Sequence, residues 1–475
     1  MQRRIPAILL VGLILAVPAM AEEQSEVKKL KARIQSMEQM LADLKAKVEA
    51  LEKGEISAAP TTTAKVAEEP ESKPAVPTAS AGGVSQAIIQ RETLNTDTQA
   101  AARVDNAVVD PAMKGFFQLP GTETQIRFGG FAKVDVIHDL KPAGDPDQFV
   151  TSTIPVGPSL NADSTNIHAR ATRLNLEMRH PSPGGPLRIF IESDFFGVRP
   201  DIFRLRHAYG QVWNVLAGYT FSTLMDVDSM PDTLDFGGPG SLVFVLQPQI
   251  RYTLVLGESK KHSLAFSAEK ATSDIVATGA NGSLTISPTT PWPDGVVRWR
   301  WDTDKGHLQA GVVLRSVGGY GEKITNKHVF ARGVSFSGSR QVFRTDYLLF
   351  QLNGGRGMGR YLQDLVGLAP DLGVNQEGEV VALPVWGAST GYQHYWRPAL
   401  RSTAAYGYMW VGSVGKQLTT DFHTSHYAAG NVIWNPKGTQ FNIGLEYLYG
   451  QQTLKTSEKG NALRLLLSFQ YDFVK

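Results

Sequence analysis

Residues 296–302 read VVRWRWD, alternating arginine with tryptophan. In a helix these side chains would scatter around the circumference. In a strand, successive side chains point to opposite faces. Val297, Trp299 and Trp301 then share one face, and Arg298, Arg300 and Asp302 the other. The stretch reads as a strand dividing an apolar environment from a wet one.

The same period recurs along the chain. LRIFIESD (187–194) sets Leu187, Ile189 and Ile191 against Arg188, Glu192 and Asp194. IRYTLVL (250–256) and FNIGLEYLY (441–449) repeat the pattern, and the final ALRLLLSFQYDFVK ends on alternating Leu and aromatic residues. Further alternating stretches lie near 126–138, 172–179, 202–210, 215–222, 262–270, 307–315, 328–338, 342–352, 378–392, 399–411 and 426–434, which brings the expectation to about 16 strands. Long connections at 139–165, 223–242, 273–293 and 353–376 contrast with short ones at 213–214 and 435–438. Half-apolar strands joined in turn by tight turns and long loops predict an all-β fold, a transmembrane antiparallel β-barrel over 111–475. A soluble β-sandwich or propeller also alternates, but its polar face tolerates lysine and glutamate, whereas these polar faces carry arginine and glycine and the strands end in aromatics.

Upstream, the composition changes. All 43 aromatic residues lie at or after Phe116. Residues 1–21 combine the basic MQRR, the apolar IPAILLVGLILAV and Ala19-Met20-Ala21, the pattern of an export signal. Within 22–53, Val27, Leu30, Ile34, Met37, Leu41, Leu44, Val48 and Leu51 repeat at spacings of three and four. That is a heptad seam predicting a parallel coiled coil about 42 Å long at 1.5 Å per residue. β-branched residues at two a positions with mostly leucine at d lean towards a dimer. Residues 54–110, rich in Pro, Ala, Thr and Glu in their first half, predict a flexible linker. Export, absence of helical spans and alternating strands together point to a bacterial outer membrane, with the coiled coil in the periplasm.

The polar faces suggest the chemistry. Between 165 and 251 there are eight arginines and no lysine. Arg173, Arg188, Arg204, Arg206 and Arg251 share the polar parity of their strands, and Arg298 and Arg300 add a later pair. Arg170 has the wrong parity and requires a bulge or a position above the lipid. Guanidinium is permanently charged and grips carboxylate in a fixed plane, so these residues predict a basic pore wall. The loop FSTLMDVDSMPDTLDFGGPGS (221–241) holds Asp226, Asp228, Asp232 and Asp235. Folded inward, it would narrow the channel, its acids either facing the arginine wall or pairing with it to hold the loop down.

Other chemistries find little support. The chain has no cysteine and a net charge of +2, which argues against thiolate metal sites and nucleic acid as a partner. GASTG (387–391) matches the nucleophile-elbow pattern around Ser389 but lies in an alternating strand. HTSH (423–426) has metal-like spacing without a third ligand nearby. No enzyme activity, cofactor or metal is expected. A periplasm-spanning envelope tether is the alternative to a channel.

The stretches DPAMKGFFQLPGTETQIRFGGFAKVDVIHDL (110–140), RLRHAYGQVWNVLAGYTFSTLMD (204–226) and PQIRYT (248–253) resemble the DcaP-type outer-membrane porins, as does the order signal peptide, coiled coil, linker, barrel. The resemblance implies a homotrimer of 16-stranded barrels in outer-membrane lipid, overriding the dimer preference. It also implies passive uptake of small anionic solutes such as dicarboxylates.

Overall fold

A computed structural model describes residues 115–473 apart from 158–162, 184, 198, 200–201, 274, 277, 280–281, 284–286, 322–327, 344, 366–367, 369–370 and 416–420. The expected signal peptide, coiled coil and linker lie outside the described residues.

The strands are β1 Gln125–Lys141, β2 in two segments Ser164–His168 and Arg173–His180, β3 Leu187–Asp194 and β4 Arg204–Val212. Then come β5 Val215–Phe221, β6 Leu246–Leu256, β7 His262–Glu269 and β8 Asp294–Thr303. Next are β9 Gly306–Tyr320, β10 His328–Val342, β11 Asp346–Arg356 and β12 Pro384–Arg397. β13 Leu400–Val411, β14 Phe422–Trp434, β15 Phe441–Leu454 and β16 Lys459–Asp472 complete the wall. Each pairs antiparallel with its sequence neighbour, and β16 pairs back onto β1 from Phe131↔Asp472 to Asp139↔Arg464. Sixteen strands thus close without an edge. Across that seam Arg464 donates from Nε to Asp139 Oδ1 at 2.6 Å.

The opening strand behaves as its sequence predicts. In β8 the odd side chains Val297 (41% exposed) and Trp301 (36%) face out, while Arg298 (5%) and Arg300 (8%) face in. The exposed large residues around the barrel are apolar and many buried ones are charged, the reverse of a soluble protein. At the short-turn end, Trp213, Trp301, Phe343, Trp396, Trp434, Phe441 and Tyr471 are all exposed, forming an aromatic ring where an interface belt belongs. Trp213 opens the two-residue turn between β4 and β5 with a φ of 51°, a left-handed conformation that such tight hairpins require.

At the other end, three long connections fold into the barrel rather than over it: 142–157, 222–245 and the described residues of 357–383. Their apolar side chains make a core inside the wall. Leu224, Met225, Leu242, Val243 and Phe244 pack with Met358, Tyr361, Leu362 and Leu365 against inward Val296, Val313, Val385 and Met409. Phe149 and Ile154 pack with Leu234 against Tyr427, Ile433 and Leu448. Backbone bonds knit the loops together, Phe244 N–H to Tyr361 O at 2.9 Å and Gln363 N–H to Leu242 O at 3.1 Å. Each fully buried apolar side chain of this size stabilises the arrangement by roughly 1.5–3 kcal/mol.

Two irregularities aim side chains. β2 is broken at 169–172, and Arg170 sits in that break, donating to Asp147 and to Gly197 O at 2.8 Å. In β4 the register slips opposite Glu192 and Ser193, leaving Arg206 as the extra residue of a β-bulge. Arg206 and His207 are consequently both buried.

Candidate functional site: an arginine wall facing a pinned loop

The inner face of β2–β6 is basic. β2 contributes Arg173 and Arg179, β3 Arg188, β4 Arg204 and Arg206, and β6 Arg251. The carboxylates of Glu177, Glu192 and Asp194 stand among them. Arg204 makes a fork on Asp194, 3.1 Å from Nε and 2.8 Å from Nη2. Arg206 reaches Glu192 at 2.9 Å and Asp194 at 3.3 Å, and Arg173 lies 3.9 Å from Glu192. Arg188 donates to Glu177 at 2.8 Å. Rings sandwich several of the guanidinium planes: Phe131 against Arg173, Phe190 and Tyr209 against Arg188, Phe196 and Phe236 against Arg204. Arg251 and Arg298 are buried on the same inner surface.

The acids of the 222–245 loop are bound elsewhere. Arg300 on β8 donates to Asp226 at 3.3 Å, to Asp228 at 2.6 Å and to Asp302 at 2.9 Å. His307 on β9 and Ser337 on β10 each lie 2.7 Å from Asp226. Asp232 takes Nε of Arg401 on β13 at 2.6 Å. Asp235 turns inward on the loops themselves, accepting Phe149 N–H at 2.9 Å and Gly238 N–H at 2.8 Å. Of the two expectations for the loop acids, pairing is seen at Arg300, while Arg188 and Arg204 have Glu177 and Asp194 as partners instead. A carboxylate one strand away costs less chain ordering to reach than one across the lumen.

Burial alone would raise the Asp226 carboxyl, but His307 and Arg300 outweigh it and hold it below the usual range. Asp235 is raised by burial. Burial also pushes Asp364, in the 357–383 loop, up to about 7, with nearby Asp235 adding to the rise and Thr151 hydrogen bonds opposing it. Asp364 accepts Thr151 N–H at 2.8 Å and gives its own N–H to Gly240 O at 3.1 Å, so one residue joins all three loops.

The minor motifs find structural roles. Both glycines of GASTG lie beneath the loop: a Cβ on Gly387 would come within 2.8 Å of Ser241, and one on Gly391 within 2.5 Å of Pro231. Ser389 is buried in a regular strand, not at a turn. His423 and His426 do not converge, one bonding Val411 O at 2.9 Å and the other the Tyr406 hydroxyl at 2.7 Å. Asp226, Asp228 and His307 have metal-like spacing, but the Arg300 guanidinium already contacts both carboxylates.

Sequence reasoning missed Glu177 and the basic residues Arg315, Arg401 and Arg464. Arg315 on β9 bonds Asp294 at 3.0 Å and Asp371 of the third loop at 2.9 Å. Its inward parity in LQAGVVLRS was the available signal.

The family model described as DcaP outer membrane protein matches residues 87–304. No curated protein matches. Among solved structures, the outer membrane channel DcaP of Acinetobacter baumannii is 22% identical, covering 75% of this chain and 99% of its own at a TM-score of 0.66. An anion-selective porin from Comamonas acidovorans is 11% identical over 74% of this chain and 100% of its own, at 0.49. An OmpF from Salmonella typhi in complex with daunomycin is 12% identical over 75% and 100%, at 0.46. The first establishes the barrel; the other two are too distant to add to it. The matched residues 87–304 include 204–226 and 248–253 and all of 110–140, the stretches that carry the resemblance. The fold is that of the solved outer-membrane channel, and the family match is to an outer-membrane protein over 87–304.

Proposed function

From a DcaP-type barrel as premise, we propose that this protein lets small organic anions, dicarboxylates among them, diffuse passively across the outer membrane. The observation that carries the reading is the composition of the inner wall from β2 to β6, where six inward arginines stand beside three carboxylates. Neighbouring acids fix the guanidinium planes and leave positive charge in excess, which lowers the energy of an anion passing along them. Arg173, Arg188, Arg204, Arg206, Arg251 and Arg298 form the basic lining, while Arg300 anchors Asp226 and Asp228 of the loop that narrows the path, with Asp232 and Asp235 also holding it. The +2 of the whole chain is too small to matter; placement does the selecting.

The protein works as a homotrimer with 22–53 as a periplasmic coiled coil. Two features support that orientation: β1 begins and β16 ends at the short-turn side, and short turns belong to the periplasmic face of such barrels. Liposome swelling tests the reading. Succinate should enter faster than a diamine of similar length, and equal or faster diamine entry would contradict it.

A further inference from the structure

We propose that Arg127, Arg179 and Arg188 form a discrete binding site for a small oxyanion at the short-turn mouth of the barrel, covered by Phe116. The inference rests on the porin reading and deepens it. Arg179 stands directly opposite Arg188 on the neighbouring strand, and Arg127 opposite Glu177. Like charges placed across a strand pair repel, so the cluster needs counter-charge. Glu177 supplies some of it. Its Oε1 accepts Arg179 Nη2 at 2.7 Å and Arg188 Nε at 2.8 Å, and its Oε2 accepts Arg127 Nη2 at 3.0 Å. One carboxylate therefore serves three guanidinium groups, leaving two positive charges in excess.

The hydrogen-bonding capacity is also unfilled. Arg127 Nε, Arg179 Nη1 and Arg188 Nη1 are buried without a hydrogen-bond partner, the Arg179 and Arg188 side chains being more than nine-tenths buried and that of Arg127 close to it. A buried cationic donor left unpaired is costly, and such an arrangement persists where a ligand completes it. Aromatic rings flank the cluster. Phe116 lies 4.7 Å from the Arg179 guanidinium and 5.3 Å from that of Arg127, while Phe190 and Tyr209 lie 5.4 and 5.6 Å from that of Arg188. Rings over the faces leave the edges, where the N–H groups point, for an in-plane acceptor. A carboxylate or a tetrahedral oxyanion suits that geometry, its charge balancing the excess.

Position gives the site its role. Gln125↔Arg179 and His180↔Leu187 place it beside the 181–186 turn, at the end of the arginine wall where an anion leaving it would arrive. Phe116 is not part of the wall. It precedes the short Phe117–Gln118 ladder onto Gln125–Ile126, so it can move aside while the barrel stays closed.

Planar-bilayer recording on the full-length protein tests this, with succinate and then sulfate added to each side in turn during KCl conduction. Wild type should show saturable block stronger from the short-turn side. Arg188→Gln should weaken that block about tenfold, the size of one charge-assisted hydrogen bond, and Phe116→Ala should speed its onset. Where Arg188→Gln fails to insert, Arg127→Gln serves the same purpose. Block by sulfate as well as succinate points to charge as the recognised feature, and block by succinate alone to carboxylate shape; both support the site. Unchanged block in arginine variants that insert and conduct overturns the site and leaves the porin intact. A diamine-preferring wild type in the swelling assay would instead remove the reading beneath it.

Discussion

The two halves of the inner wall use the same residue type for different ends. On β2–β6 the arginines pair with carboxylates of adjacent strands, and acids are too few to neutralise them. On β8–β13 the basic residues Arg300, His307 and Arg401 pair with carboxylates of an inserted loop. The first wall is the one proposed to shape an electric field, and the second is a seat for the loop. An arginine on a polar parity is therefore not enough to define a pore lining; its nearest carboxylate decides.

The largest effect is expected where the seat is cut at its most connected point. Asp226→Ala leaves His307 and Ser337 without their buried partner while Arg300 keeps Asp228 and Asp302, and each buried polar group left unpaired typically costs about 1–3 kcal/mol. The loop should release, seen as a marked rise in single-channel conductance and new protease cleavage within 222–245, with the barrel still heat-stable in detergent. Next, Arg204→Glu with Arg206→Glu should convert the field wall while sparing the seat. Four acids would then cluster around Asp194 and Glu192, and selectivity should swing towards cations with conductance roughly kept. If permeation does not change, those arginines are anchors and the two walls are alike.

A smaller effect follows from the loop's footing. Gly391→Val would drive side-chain atoms into Pro231, an overpacking of about 1–3 kcal/mol. It should loosen the loop without touching any charge, raising conductance and leaving selectivity in place. The smallest effect is on pH. Asp364 is raised from 3.8 to about 7, so the folded loops hold its proton more tightly than the unfolded chain does. Its contribution to the clasp is complete below about pH 4 and is lost as pH rises through about 7. Loop protection from protease should fall modestly over that range, and Asp364→Asn should flatten the response.

Much of this was legible in the sequence because a bilayer enforces it. Lipid outside and water inside impose a period of two, so VVRWRWD and its counterparts located sixteen strands, most to within a few residues, though the stretch 378–392 began six residues early, inside the third loop. The inward fold of 222–245 was legible from its acids and its place after the fifth strand. The contributions of 142–157 and 357–383 were not, since their Thr151–Asp364 link spans more than two hundred positions. Nor was the bulge at Arg206, which depends on register with β3 and leaves no local mark. Parity placed Arg188 and Arg204 on the inner face correctly. It said nothing about partners, because strand neighbours and loop acids look equally near in a linear chain.

The central claim is that the β2–β6 wall, not the overall charge, sets what passes. Reversal potential in a planar bilayer under a KCl gradient measures that most directly. The wild-type channel should reverse on the chloride side of zero, and the Arg204→Glu, Arg206→Glu channel should shift towards potassium. A wild-type channel that already prefers potassium would contradict the account.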